Sequence, residues 1–308
     1  DYDRKFYSRR TRDMKIDLVL FYEDSSDSEW LNKLSAYVGM PLIADPYDEE
    51  KLKWGLKSID SNLSWINRIF LVVPNKNQIP DWIAGVNSVE YNDFLPKELI
   101  NCVSPTVAKL FVHRITDLSN NFLLMDNNCF VLKRLSEEQF FAAGLPQVTA
   151  KPEHCGNESA VRRAMTCNQY RRFMQNEGAT SILRITSSIL PGNKTLWAEF
   201  EALYKNLIIA RQAQNQTPEG LSAEGIIYKG IHDKRIQSNF DKCSCMNLDY
   251  DLPSTCIAGV DISNNYNRDL VYLRQTRRVD ASLVKMLFDR LEQALEIRLP
   301  AAKSAYEK

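Results

Sequence analysis

The residues of this chain best equipped for chemistry lie at the ends of two apolar runs. Phe122-Leu123-Leu124-Met125 ends on Asp126-Asn127-Asn128, and the run Ile16 to Phe21 ends on the acidic loop Glu23-Asp24-Ser25-Ser26-Asp27. Hard oxygen ligands at such a strand end can hold Mg²⁺ or Mn²⁺ against a diphosphate, so Asp126, with the side-chain carbonyl of Asn128, is a candidate metal and catalytic position. Its plainer role is a turn or cap residue. Asp24 can accept a proton from a hydroxyl or serve the turn, and Asp27 supports the loop or caps the helix after it. His113 titrates near neutrality and is a candidate acid or base, or else a satisfied structural histidine. Arg114 beside it can clamp a phosphate with two parallel hydrogen bonds or form a surface ion pair.

Two further clusters carry less. Arg162, Arg163, Arg171 and Arg172 read as a basic face that either meets an anionic substrate or is simply solvated. Cys243, Cys245, Cys256 and His232 could ligate zinc, but their spacing fits no standard finger.

Positioning these groups requires a layered scaffold. Ile16 to Phe21, Ile69 to Val73 and Phe122 to Met125 are short, nearly continuous apolar runs, as in strands buried on both faces of a parallel sheet. Val86 to Tyr91 adds a shorter one. Leu52, Leu56, Ile59 and Leu63 recur at helical spacing, as do Val107, Leu110, Phe111 and Ile115, and strands alternating with helices give a mostly parallel, doubly wound α/β sheet. Loops at the carboxyl ends of such strands are where ligands bind. Beyond Glu137 the second half reads as mainly helical, over Ala160 to Gln175 and Thr195 to Gln212, with strands at Gly225 to Tyr228 and Thr255 to Ile262 and a loop from Asn215 to Leu221. Leu283, Leu287, Leu291 and Leu295 stripe a last amphipathic helix. Trp30, Trp54, Trp65 and Trp82 read as packing residues.

The 308 residues contain 39 basic and 39 acidic side chains, so net charge gives no reason to expect nucleic acid as a partner. No run has the apolar length of a membrane span, and the seven scattered cysteines fit free thiols in a reducing compartment. A cytoplasmic protein is expected. Residues 1–14, with Arg4, Lys5, Arg9, Arg10 and Arg12, form a basic tail that is solvated or grips an anionic membrane surface.

Residues 17–31, DLVLFYEDSSDSEWL, and 52–82, LKWGLKSIDSNLSWINRIFLVVPNKNQIPDW, resemble the first two conserved blocks of the Stealth family, and the likeness continues through Asp93-Phe94-Leu95-Pro96, His113-Arg114-Ile115 and Phe122 to Phe130. The resemblance implies a GT-A-like, Rossmann-type fold and transfer of a sugar-1-phosphate from a nucleotide sugar to a sugar hydroxyl, as in capsule or lipopolysaccharide synthesis. Residues 15–135 would bind the nucleotide sugar, and 136–308 would complete the fold on the acceptor side. It also implies donor-binding roles for Asp48, Lys109, Arg114 and Asn128, catalytic roles for Asp24, His113 and Asp126, and a glycan or lipid-linked glycan acceptor at the inner membrane face.

Departures from the family pattern are informative. Lys109 stands where the family has a glutamate, Asp126-Asn127-Asn128 where it has Asn-Asp-Asp, and Tyr47-Asp48-Glu49 where it has Arg-Asp-Asn. The later family blocks, with their catalytic His and Arg, have no counterpart in this sequence, which leaves His154 and His232 as the remaining histidines. Either the Lys109 ammonium takes over the metal's charge, in a phosphotransferase or a plain GT-A glycosyltransferase, or the domain binds a nucleotide sugar or a partner without turnover.

Overall fold

A computed structural model describes residues 14–154, 168–186, 188–213, 221–239, 245–249, 269–274, 281–300 and 304–308. The basic tail up to residue 13, Arg162, Arg163, Cys243, Cys256 and the strand expected at Thr255 to Ile262 lie outside these residues.

The central sheet has the order β3-β2-β1-β4-β9, built from β1 (Ile16–Phe21), β2 (Ile69–Val73), β3 (Asn87–Glu90), β4 (Asn121–Asp126) and β9 (Leu190–Asn193). The first four are mutually parallel and β9 is antiparallel. All residues of β1 and β2 are buried, as expected of strands covered on both faces.

Alternation along the strands divides the core in two. Val19, Phe21, Phe70, Val72, Phe122 and Leu124 face one layer. That layer contains Val107 to Ile115 and the helices α5 (Lys194–Gln212) and α6 (Ala223–His232). Ile16, Leu18, Leu20, Ile69, Leu71, Leu123 and Met125 face the other, where the helix α2 (Asp48–Asn62) inserts Leu52, Leu56 and Ile59. The helix α1 (Ser28–Val38) follows β1, capped by Asp27 as expected and ended by Gly39 at φ 76°. The short helices α3 (Tyr91–Phe94) and α4 (Pro105–Ala108) lead into a 3₁₀ turn, Lys109–Arg114, where a longer helix was expected.

The second half is helical in α5, α6 and α7 (Ala281–Arg298), and it also holds strands that the sequence reading missed. β10 (Gln237–Asn239), β7 (Leu145–His154) and β6 (Phe141–Ala142) form a second sheet in that order, with β8 (Ser181–Ile185) on β7. β11 (Cys245–Asp249), β12 (Leu270–Arg274) and β5 (Cys129–Val131) form a third. The expected strand Gly225 to Tyr228 is instead part of α6, capped by the Ser222 side chain. Leu291 and Leu295 of α7 are fully buried, as the stripe predicts. Because β9 completes the central sheet and β12 pairs with β5, the two halves interleave. Among the described residues no helix is long and apolar enough to cross a membrane.

Candidate functional site

Chain order turns the strand succession around at β1. From β1 it proceeds to β2 and β3 on one side and then crosses to β4 on the other, so the topological switch point lies between β1 and β4, where open α/β sheets form their ligand crevice. Phe21 pairs in register with Asp126, and the Asn127 N–H donates to the Phe21 carbonyl at 3.0 Å. The two strand ends singled out from the sequence therefore meet.

Lys109 is the third member of this site. Ser104 caps α4 and Pro105 opens it, while Val107, Ala108, Leu110, Phe111 and Val112 are buried. The Trp197 indole N–H donates to the Lys109 carbonyl at 3.0 Å and fixes the turn. Lys109 reaches back to the strand ends, where its Nζ lies 2.5 Å from Asp126 Oδ1 and 5.2 Å from the centre of the Phe21 ring. Its side chain is 20% exposed and that of Asp126 29%, so the pair is open to a ligand.

On the β2 side of β1, the Asp24 N–H donates to Gln78 Oε1 at 3.0 Å, and Asp24 Oδ1 accepts from the Ser26 N–H at 2.8 Å. Asp24 is thus a turn residue whose other carboxylate oxygen has no hydrogen-bond partner among the described residues. Asp27 accepts from the Trp30 N–H and from Gln78 Nε2. Burial would raise its pKa, but those bonds, with Asn75 and the Glu29 N–H, hold it below the ordinary carboxylate range.

Asp48 lies beneath this loop and is buried. It accepts from the Ser25 N–H at 3.0 Å and from the Ser25 hydroxyl at 2.5 Å, next to a fully buried ion pair between Lys51 and Asp45. Burial pushes the Asp48 carboxyl up to about 6 against the opposing pull of Lys51, with Asp45 adding to the rise. Asp48 holds the loop that carries Asp24.

His113 and Arg114 are not brought to the strand ends. Ile115 ends their turn and accepts from Lys194 Nζ, beside the start of β4, so the turn runs from the site edge of the sheet to the opposite one. His113 Nε2 lies 2.9 Å from Glu201 Oε2, and Arg114 donates to both oxygens of the same carboxylate at 2.9 and 2.8 Å. Burial lowers the His113 pKa despite Glu201, whose charge Arg114 already balances. Nδ1 is buried and unpartnered among the described residues, which suits a neutral imidazole donating through Nε2.

Tyr91 escaped the sequence reading as a site residue, and Glu23 entered it only as part of the acidic loop after β1. The buried Tyr91 hydroxyl donates to Glu23 Oε1 at 3.4 Å, and burial, with Glu23, Cys102 and Asp126 nearby, keeps the phenol un-ionised. The available signal was positional, since Tyr91 directly follows β3. Of the remaining candidates, Arg171 donates to the Ala179 carbonyl, Arg172 stacks on Phe173 and Tyr204, and His232 bonds Asp233. The indoles of Trp54, Trp65 and Trp82 donate to Glu292, Leu135 and Glu49, and Trp30 is buried.

The donor set at Asp126 does not fit a divalent cation. The Asp126 carboxylate is already paired with an ammonium, and that ammonium would repel a dication. Asn128 adds only a neutral oxygen. Among the described residues no three His, Cys, Asp or Glu side chains converge to hold an ion.

Residues 46–148 match the profile of Stealth protein CR2, conserved region 2. Curated relatives include a capsular polysaccharide phosphotransferase of Actinobacillus pleuropneumoniae, 25% identical over 46% of this chain and 42% of its own. A capsular polysaccharide phosphotransferase of Streptococcus pneumoniae is 25% identical over 43% of each chain. An exopolysaccharide phosphotransferase of Lactiplantibacillus plantarum is 24% identical over 55% of this chain and 52% of its own. The matched segment thus spans about half or less of each relative. Among solved structures, the galactosyltransferase LgtC superposes over 90% of this chain and 96% of its own with a TM-score of 0.45 at 11% identity.

Proposed function

We propose that this divergent relative of the Stealth proteins is a transferase that moves a sugar-1-phosphate from a nucleoside diphosphate sugar to a glycan hydroxyl in the synthesis of a bacterial surface polysaccharide. The observation that carries the reading is the Lys109–Asp126 pair, both within the matched region, beside the end of β1 at the switch point of the sheet. The names of the relatives give the chemistry its class.

In this account the crevice binds the diphosphate and residues 15–135 form the donor side. The acceptor hydroxyl oxygen attacks the phosphorus that bears the sugar. The bond from that phosphorus to the oxygen bridging it to the nucleoside phosphate breaks, and nucleoside monophosphate leaves. The hydroxyl proton passes to the unbonded oxygen of Asp24, and Lys109 stabilises the charge on the departing phosphate. Asp126 orients Lys109, Asn128 borders the donor, and Asp48 supports the catalytic loop. His113 and Arg114, through Glu201, hold the turn on which Lys109 sits. Residues 136–308 complete the acceptor side, where a glycan, free or lipid-linked at the inner face of the membrane, presents its hydroxyl.

Thermal shift against UDP-, GDP- and CDP-sugars, with a CMP-sugar as the monophosphate control, tests the assignment. One diphosphate donor is expected to stabilise the protein, by about 2.7 kcal/mol at a hundredfold excess over Kd, and the CMP-sugar is not. Absence of a shift with every donor contradicts it.

A further inference from the structure

We infer that Lys109 is the built-in cation of this site, so that the crevice engages a diphosphate without a divalent metal and excludes the metal from Asp126. The inference rests on the proposed donor site only for the identity of the anion.

Three observations converge. Lys109 Nζ and Asp126 Oδ1 are 2.5 Å apart, at the strand end where a metal-dependent site would place its ion. The ammonium lies 5.2 Å from the Phe21 ring centre, so the end of β1 and the end of β4 both hold it. Its backbone is anchored by the bond from Trp197, whose side chain is fully buried. An ammonium kept in one place by a carboxylate, a ring and a fixed backbone is pre-organised, and it retains donor hydrogens and open surface for a phosphate oxygen. Asp126 then serves as the counter-charge that orients Lys109, not as a metal ligand. Reversing the charge at 109 would set two carboxylates side by side and create the anionic pair that a dication needs.

The test uses the intact protein and two probes. The first is Mn²⁺ alone, followed by the loss of its free-ion EPR signal. Wild type is expected to leave the signal unchanged at one equivalent, and Lys109→Glu to quench it in a manner reversed by Asp126→Asn. Stoichiometric Mn²⁺ binding by wild type that disappears in Asp126→Asn overturns the inference, and so does Lys109→Glu that folds, by circular dichroism, and binds no Mn²⁺. If Lys109→Glu fails to fold, Lys109→Gln and the second probe decide. That probe is inorganic pyrophosphate titrated in EDTA. Wild type is expected to bind it, and Lys109→Gln to bind it about tenfold more weakly or worse, the loss expected of one charge-assisted hydrogen bond. Equal affinity in the two proteins, or wild-type binding only when Mg²⁺ is restored, overturns the inference. The Mn²⁺ result needs no donor sugar, so failure of the proposed reaction and failure of this inference are separable.

Discussion

Asp24 and His113 present opposite cases of a polar side chain that could do chemistry. Asp24 keeps a carboxylate oxygen free in a half-buried loop, whereas His113 spends Nε2 on Glu201 and buries Nδ1. Asp24→Asn is expected to lower kcat by about 10²–10⁴-fold while leaving donor Kd nearly unchanged, the signature of a lost proton acceptor, as measured by steady-state kinetics beside calorimetric binding. His113 is expected to titrate below 6.5 by NMR, because burial disfavours its charged form. Since its folded pKa lies below the unfolded one, the unfolded state binds the extra proton first, and stability falls as pH drops through 6.5. A His113 resonance titrating above 6.5 contradicts this. The acidic strand ends were legible in the sequence because a parallel strand and its loop announce themselves by a short apolar run and sudden polarity. The partners of His113, Arg114 and Asp48 were not, because Glu201 lies 88 residues from His113 and Ser25 lies 23 from Asp48, and no local pattern encodes such pairings.

At the scale of elements, the close approach of β9 to β4 limits what can occupy the edge of the site sheet. A Cβ on Gly192 would lie 2.3 Å from the Phe122 ring, itself fully buried and 5.2 Å from the Trp197 ring centre. Trp197 in turn fixes Lys109, so Gly192→Ala is expected to cost about 1–3 kcal/mol of stability in urea denaturation and to weaken pyrophosphate binding as well. A neutral outcome in both contradicts this packing. β1, β2, β4 and α2 were readable because their apolar spacing has one solution. Gly225 to Tyr228 was misread because a four-residue run is compatible with strand or helix, and the deciding features were the Ser222 cap and the length of α6. The second sheet escaped because β7 interrupts its apolar residues with Pro146, Gln147, Lys151 and Pro152 and so lacks a clear period.

For the molecule as a whole, the site edge of the sheet is balanced by a clamp at the opposite edge. Asp17 is buried at the start of β1 and accepts from Arg68, Asn67 Nδ2 and the Ser119 N–H. Burial would raise its pKa, but these bonds together bring it below 3.8. Its folded pKa is depressed, so its contribution is present above pH 3.8 and is lost as pH falls through the folded value. Asp17→Asn is expected to cost about 1–3 kcal/mol at pH 7 and to flatten the loss of stability below pH 4, as followed by urea denaturation across pH. An unchanged acid limb contradicts the clamp.

The central claim is that a nucleoside diphosphate sugar is cleaved between its two phosphates at the β1–β4 crevice. Phosphorus-31 NMR of the intact protein with its stabilising donor and an oligosaccharide acceptor tests it most directly. The account predicts that nucleoside monophosphate and a new phosphodiester appear together in EDTA and that both are lost in Asp24→Asn. Release of nucleoside diphosphate, or a bound donor that is never consumed, would contradict it.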